Sequence, residues 1–544
     1  MKRIIRPGIN CMGIYGVQKT GLIIDGHDYY RAFYEAANRA KRYIFLAGWQ
    51  FDSDVRLLRG KAAEGEGDTR LLPFLNRLCE KKPELNIYIL AWDFAEIYMI
   101  DREWFQEWVF NWTTNKRVHF RFDDRHAVGA SHHEKFAVID GAIAFLGGMD
   151  ICANRWDDRR HLADNPNRKN PKDELYVPYH DTQSYHVGSI AQELANLFKA
   201  RWENSGGGVL DLTTYDGEYS PEIRLTLPIE AGEVAISRTR AKTIVPHQDS
   251  VHEIRNLYID ALGAADKLIY VENQYFSSEA VYRALMNRLR AKDRSKLQIV
   301  LILPNRLHTI TEAITLGLVQ VKILKSLKDV ASNEGHTIGI YYSLAEPFNK
   351  EIHVYIHSKL LIVDDRFLTM GSANLSNRSM GLDTELNVSW EAYSEEHEGA
   401  IQSIRKARTS LLMEHSGLGD DDEIDIETVS DLVKRLNALA DSGKYRLRRH
   451  TLETIIGETM LPEELTPEEL MLDPEKPIVE ESVFELISHD KTGIFSKGIT
   501  ILSDFLIHRD TGALKRLLQF MWKLWWVSFA VVLLLVLLFW IVLR

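Results

Sequence analysis

The chain has 544 residues, 45 % hydrophobic and 26 % charged, a globular composition that excludes a disordered or fibrous protein. Its 66 Lys and Arg stand against 77 Asp and Glu, a formal charge of -11, so nucleic acid is not an expected partner without a local basic patch. Three cysteines, Cys11, Cys79 and Cys152, build neither a disulfide framework nor a zinc-ligand spacing, which fits a reducing compartment.

The N-terminal MKRIIRPGINCMGIYG has basic residues with no apolar run behind them, so no secretory signal is expected. Ala40–Phe51 (AKRYIFLAGWQF) runs from a charged helix end into an apolar strand, and Asn86–Ala91 (NIYILA) predicts a second strand. Trp104, Trp108 and Trp112 form an i, i+4, i+8 stripe, which reads as core, as a wall for acyl chains or as an interfacial anchor. Arg117–Phe122 predicts a further strand, followed by HHEKFAVIDGAIAFLGGMD from His132. The polar loop Arg155–Lys172 reads equally as a gate and as a solvated insertion. An amphipathic helix near Ser189–Trp202 closes the segment, which ends at Gly206, Gly207 and Gly208.

The same order then repeats. ADKLIYVENQYF (Ala265–Phe276), QIVLIL (Gln298–Leu303), Thr337–Tyr342, IHSKLLIVDDRFLTMGSAN from Ile356 and a helix near Glu396–Met413 match the first series. His133 and His357 are 224 positions apart, and so are Gly147 and Gly371. Strands alternating with helices argue two tandem α/β domains, residues 1–208 and 231–416, each a mixed sheet flanked by helices and related by a pseudo-two-fold. A polar linker, 209–230, joins them. An acidic, partly ordered stalk is expected over 417–510, from the run Asp420 to Glu423 and the Pro/Glu-rich Pro462 to Glu469.

Residues 511–544 read as a juxtamembrane segment and one transmembrane helix. Leu524–Leu543 (LWWVSFAVVLLLVLLFWIVL) is twenty residues without a charge, a match to the roughly 30 Å hydrocarbon core. Arg509, Lys515, Arg516 and Lys523 crowd its N-terminal flank and Arg544 alone lies beyond, which predicts cytoplasmic catalytic domains.

Each copy holds a histidine, a lysine two residues on and an aspartate five further: His133, Lys135, Asp140 and His357, Lys359, Asp364. Positions two apart share a strand face, so each His and Lys project together from a platform of apolar residues. Glycines then allow a tight turn beside them, Gly147-Gly148 in one copy and Gly371 in the other. The doubled motif is identified as that of the phospholipase D superfamily, which the sequence resembles over Gly21–Leu412. H-x-K-x4-D-x6-G-S-x-N is matched in full from His357 to Asn374, whereas the first copy has Gly148 for serine and Asp150 for asparagine. GGMDICANRWDD (Gly147–Asp158), VENQYF (Val271–Phe276) and GSANLSNRSMG (Gly371–Gly381) resemble the phosphatidylcholine-type phospholipases D of eukaryotes and their bacterial relatives. They are less similar to the nuclease and cardiolipin synthase branches.

Phosphodiester cleavage needs a nucleophile, a proton for the leaving alcohol and positive charge on the phosphoryl oxygens. Two histidines supply the first two and two lysines the third, with Ser372 and Asn374 as phosphate donors. This chemistry requires no metal and no cofactor. His132, His133 and Glu134 could be read as a metal cluster, but Lys135 in the same strand would repel the cation. Asp140 and Asp364 are expected to tie down the turn after each strand, and Asp150 to pair with Lys135 or turn away. The resemblance implies that Asp181 and Glu385 orient the histidines, that His133 is the nucleophile and that His357 is the acid. It also implies a monomeric enzyme that cleaves membrane phospholipids on the headgroup side of phosphorus, with water or a small alcohol as acceptor. The alternatives are a phosphatidyltransferase of the cardiolipin synthase type and a phosphodiesterase acting on nucleic acid.

Overall fold

The computed structural model describes residues 3–93, 109–111, 114–213, 223–243, 246–307, 316–347, 350–394, 397–419, 421–452 and 473–477. The first half runs β1 (Gly13–Ile24), α1 (Asp25–Arg39), β2 (Tyr43–Gly48), α2 (Leu71–Lys81), β3 (Asn86–Trp92) and β4 (Val118–Asp123). It continues with β5 (Lys135–Ile139), β6 (Ile143–Gly147), β7 (Tyr179–His180), β8 (Thr182–Gly188), α3 (Ser189–Trp202) and β9 (Leu227–Pro228). The second half runs β10 (Glu233–Arg240), β11 (Val251–His252), α4 (Glu253–Ala264), β12 (Leu268–Glu272), α5 (Glu279–Leu289), β13 (Gln298–Ile302) and α6 (Leu318–Asn333). After these come β14 (Thr337–Ser343), β15 (Tyr355–Ile356), β16 (Leu360–Val363), β17 (Phe367–Gly371), α7 (Asn377–Gly381) and β18 (Glu385–Glu391). Helices α8 (Glu398–Ser416) and α9 (Leu432–Ser442) and strand β19 (Leu447–Arg449) complete the described elements.

The two halves carry one strand order. In the first it is β4-β3-β2-β5-β6-β8-β1, with β2, β3 and β4 parallel and the other neighbours antiparallel. In the second, β14-β13-β12-β16-β17-β18-β10 repeats both the order and the directions. The sheets join through β1, whose first residues pair with β10 (Gly13 opposite Ile236) and which pairs with β8 from Val17 onward, with an irregularity between Val17 and Lys19.

Strand periodicity sets the layers. In β2, Tyr43, Phe45 and Ala47 face a core shared by both halves, while Ile44 and Leu46 face an outer core under α1 and α2. In β12, Leu268 and Tyr270 face the shared core and Ile269 and Val271 an outer core under α4, α5 and α6. Strands buried on both faces read as continuous apolar runs, as these do. The closing helices α3 and α8 bury Leu194, Phe198, Ile404 and Leu411 in the shared core, with Phe198 stacked on Phe45 at 4.3 Å.

Two expectations need correction. Part of the presumed stalk belongs to the second half: Leu432, Val433, Leu436 and Leu439 of α9 join the shared core, and β19 extends the sheet beside β14. Those apolar residues sit at helical spacing behind the acidic run that obscured them. Within the expected linker, β9 pairs with β1, Leu22 opposite Leu227. Trp104, Trp108, Trp112 and Leu524–Leu543 lie outside the described residues. Among the described residues no helix is long and apolar enough to cross a membrane.

Candidate active site

The seam between the halves is stitched by backbone bonds just before each motif strand. His133 N donates to Thr384 O at 2.9 Å, and Thr384 N to Ser131 O at 2.9 Å. Symmetrically, Tyr355 N donates to Pro178 O and His357 N to His180 O, both at 2.8 Å, within the parallel pair of β7 and β15. Each motif histidine therefore lies beside the strand that carries the other half's acid.

The side chains complete the exchange. His133 Nδ1 lies 3.0 Å from Glu385 Oε2, and His357 Nδ1 lies 2.6 Å from Asp181 Oδ2. Neither ring's Nε2 makes a hydrogen bond among the described residues, which leaves that atom for substrate. Both acids are fully buried. Burial works against the Glu385 carboxylate, but His133 and the hydroxyls of Ser372 and Ser379 outweigh it and hold its pKa below the usual value. Burial pushes Asp181 up to about 6, against the pull of Lys359 and of the Thr182 N–H. Burial also holds His357 well below the ordinary imidazole value, reinforced by the cations of Lys359, Arg155 and Lys135 and by His133.

The two lysines are not equivalent. Lys135 Nζ sits 3.3 Å from Asp150 Oδ2, and Asp150 Oδ1 accepts from Trp49 N at 2.8 Å. Lys359 has an asparagine, Asn374, at the place of Asp150, and its Nζ instead donates to Gln274 Oε1 at 3.1 Å. Burial lowers Lys359 to about 7, with Asp181 opposing and Lys135 adding to the shift.

The remaining motif residues divide by position. Asp140 accepts the backbone N–H groups of Lys41, Arg42 and Tyr43 at 2.7–2.8 Å, and Asp364 those of Asp266, Lys267 and Leu268 at 2.7–2.8 Å. Both carboxylates are thus spent on backbone at the entries of β2 and β12. Ser372, expected as a phosphate donor, instead gives its Oγ–H to Glu385 Oε2 at 2.5 Å. Asn374 is buried, and its Oδ1 makes no hydrogen bond among the described residues. His132 Nε2 lies 3.2 Å from Asp123 and Glu134 pairs with Arg201, so these neighbours of His133 do not gather as metal ligands.

Sequence reasoning passed over Arg155, whose guanidinium lies 5.1 Å from the Tyr179 ring; that ring is 5.4 Å from His357. Arg155 stands at a short offset from Asp150 in a loop treated as gate or solvated insertion. The loop is neither. Fully buried Arg168 donates to Leu162 O, Ala163 O and Tyr176 O, and Arg159 Nη2 reaches Ser410 O on α8 at 2.9 Å. The loop braces one half against the other. Gln274 was also missed as a residue, although it lies in the word VENQYF.

Two imidazole–carboxylate pairs, each made across the seam and flanked by a lysine, define an enzyme of phosphodiester hydrolysis. A phospholipase D family model matches residues 36–302, and a model described as cardiolipin synthase, PLD-like domain, matches 258–406. The chain belongs to the phospholipase D superfamily. Phospholipase D1 of Saccharomyces cerevisiae is 24 % identical over 436 residues, which are 66 % of this chain and 26 % of that protein. Phospholipase D alpha 1 of Carica papaya is 23 % identical over 557 residues, 78 % of this chain and 68 % of that protein. Among solved structures, phosphatidylserine synthase of Haemophilus influenzae Rd KW20 is similar over 79 % of this chain and 95 % of that one, with TM-score 0.48 and 12 % identity.

Proposed function

We propose that the protein cleaves glycerophospholipids on the headgroup side of phosphorus, releasing phosphatidic acid and an alcohol through a phosphohistidine. The carrying observation is that each motif histidine takes its carboxylate from the opposite half, so one site needs both copies. His133 Nε2 attacks phosphorus and forms the P–N bond as the P–O bond to the headgroup breaks. Ionised Glu385 on its Nδ1 side orients the ring and holds the tautomer that leaves Nε2 free to attack. His357 gives its proton to the departing alkoxide, then takes one from the water that attacks the phosphohistidine and frees His133. His357 is held neutral among cations in the absence of substrate, and the incoming phosphate anion offsets those cations so that the ring is charged when it acts. Lys135, Lys359, Arg155 and Asn374 stabilise the phosphoryl oxygens.

A second reading, phosphatidyl transfer to an alcohol in place of water, is favoured by the cardiolipin synthase-type match over 258–406. Both reactions share the first half of the sequence. Incubation with defined phospholipids, with and without a short primary alcohol, and mass spectrometry of the lipids tests them together. Phosphatidic acid alone is expected without alcohol and phosphatidyl alcohol in its presence. Unchanged lipid in both arms overturns the proposal.

The apolar run Leu524–Leu543 serves in this reading as a single-pass anchor that holds a monomeric catalytic unit at the cytoplasmic face of its substrate membrane.

A further inference from the structure

Behind Asp181, on the side away from the phosphate site, four side chains from both halves converge in the fully buried seam. They are Asp25 at the start of α1, His161 in the bracing loop, His180 of β7 and Glu414 of α8. We propose that they form a tetrahedral site for one divalent transition-metal ion, zinc by the character of the donors, that pins the two halves together.

The spacing supports this. Glu414 Oε1 lies 3.1 Å from His161 Nε2 and 2.9 Å from His180 Nδ1, and Asp25 Oδ2 lies 3.5 Å from His161 Nε2. An ion about 2.0–2.1 Å from four tetrahedral donors sets those donors about 3.3 Å apart. Two imidazole nitrogens with two carboxylate oxygens are a zinc-type set, not the all-oxygen shell of calcium or magnesium.

The outer contacts support it independently. A ligating imidazole gives its far N–H to a carboxylate, which fixes the ring. His161 Nδ1 lies 3.0 Å from Asp157 Oδ2, and His180 Nε2 lies 3.0 Å from Glu272 Oε2. The second oxygen of Glu414 is held by Arg159, and Asp25 Oδ1 accepts from Asp181 N at 3.2 Å and also lies 3.1 Å from His180 Nδ1. Each donor is thus held by a further contact, and one atom is left over: Asp25 Oδ2 is buried and makes no hydrogen bond among the described residues, with His161 Nε2 3.5 Å away. A carboxylate oxygen so placed is costly to bury unless something binds it. Two carboxylates and two neutral imidazoles carry two negative charges, which one divalent cation balances. The competing arrangement, two imidazolium rings in a buried ion-pair network, balances the charge but leaves that oxygen without a hydrogen bond.

The test uses the full chain in detergent. After dialysis against a chelator, elemental analysis is expected to find about one zinc per chain. Protein whose zinc is removed by a stronger chelator and replaced with Co2+ is expected to show the visible absorption of a tetrahedral site. Asp157→Asn, which removes an outer contact and no ligand, is expected to weaken metal affinity about 10- to 100-fold. His161→Gln and Asp25→Asn are expected to lose the metal, with circular dichroism reporting whether each still folds. A wild-type chain that carries less than a tenth of an equivalent and gives no cobalt spectrum overturns the proposal in favour of the ion-pair network. Metal retained at full affinity in Asp157→Asn overturns the assigned ligands even where the ligand variants fail to fold.

Discussion

Gly148 stands where the second copy has Ser372, and the reason is steric. A Cβ built there would lie 2.4 Å from Asp181 Oδ1, while Ser372 faces the longer Glu385 and donates to it. Asp181 cannot yield easily, because its Oδ1 accepts from Thr182 N and its Oδ2 meets His357 Nδ1. Gly148→Ala is therefore expected to lower kcat about 10²-fold or more by displacing the carboxylate that orients His357, a loss of the size expected for acid–base catalysis. Steady-state kinetics and a melting curve check this, and wild-type kcat in a folded variant would dismiss the steric argument. His133→Ala and His357→Ala should each abolish turnover, and the double variant should be little worse than either, since both rings serve one reaction sequence. A single variant that kept a tenth of the rate would remove its ring from the mechanism. Lys359 sets a limit on pH. Its ammonium is charged below about 7 and neutral above, so capture of the phosphate anion should weaken as pH rises through that value. The alkaline limb of kcat/KM is expected near 7, and Lys359→Arg should move it upward while lowering the maximum, because guanidinium stays charged but fits differently. An unmoved limb in that variant would assign it to another group. The histidines and lysines were legible because a doubled motif with matched glycines is improbable by chance. The fate of Asp150 was not, because pairing with Lys135 or turning away is decided by where Trp49 N presents itself.

At the level of elements, the strand runs were readable from apolar composition, since β2, β3, β5 and their counterparts β12, β13 and β16 are buried on both faces. What periodicity could not reveal is which half supplies each acid. That depends on the parallel pairing of β7 with β15 and on the bridge between His132 and Thr384, contacts between segments more than 170 residues apart. The loop Arg155–Lys172 misled for a related reason: it is polar in composition, yet Arg159 and His161 find partners on α8 that only tertiary structure brings near. The motif aspartates act at this scale too. Asp140→Ala would leave the N–H groups of Lys41, Arg42 and Tyr43 unpartnered at the entry of β2, a cost of about 2–4 kcal/mol. Urea denaturation should report that loss while kcat per folded molecule stays within a few-fold of wild type. A hundredfold fall in kcat at unchanged stability would instead put the carboxylate at the substrate.

On the scale of the whole molecule, the active site, the bracing loop and the four-residue cluster behind it all lie on one seam, so catalysis and the union of the halves rest on the same contacts. In the proposed reading, with Leu524–Leu543 as an anchor, the membrane supplies the remaining constraint. A soluble enzyme must find lipid by collision, whereas one tethered through Leu524–Leu543 works at a fixed, high local concentration of headgroups without any added contact. On the proposed reading, Arg509, Lys515, Arg516 and Lys523 on the near flank, against Arg544 beyond, predict catalytic halves on the cytoplasmic side. Trp522, Trp525 and Trp526 at one end and Trp540 at the other suit the two interfacial belts. A chain truncated near Asp510 should therefore leave the membrane fraction and still cleave dispersed lipid, while its rate on intact vesicles falls at least tenfold. In sealed right-side-out vesicles the full chain should be protected from added protease, and in inverted ones its catalytic halves should be digested. Digestion in right-side-out vesicles and protection in inverted ones would reverse the orientation. A truncated chain that still sedimented with membranes would move the anchor elsewhere.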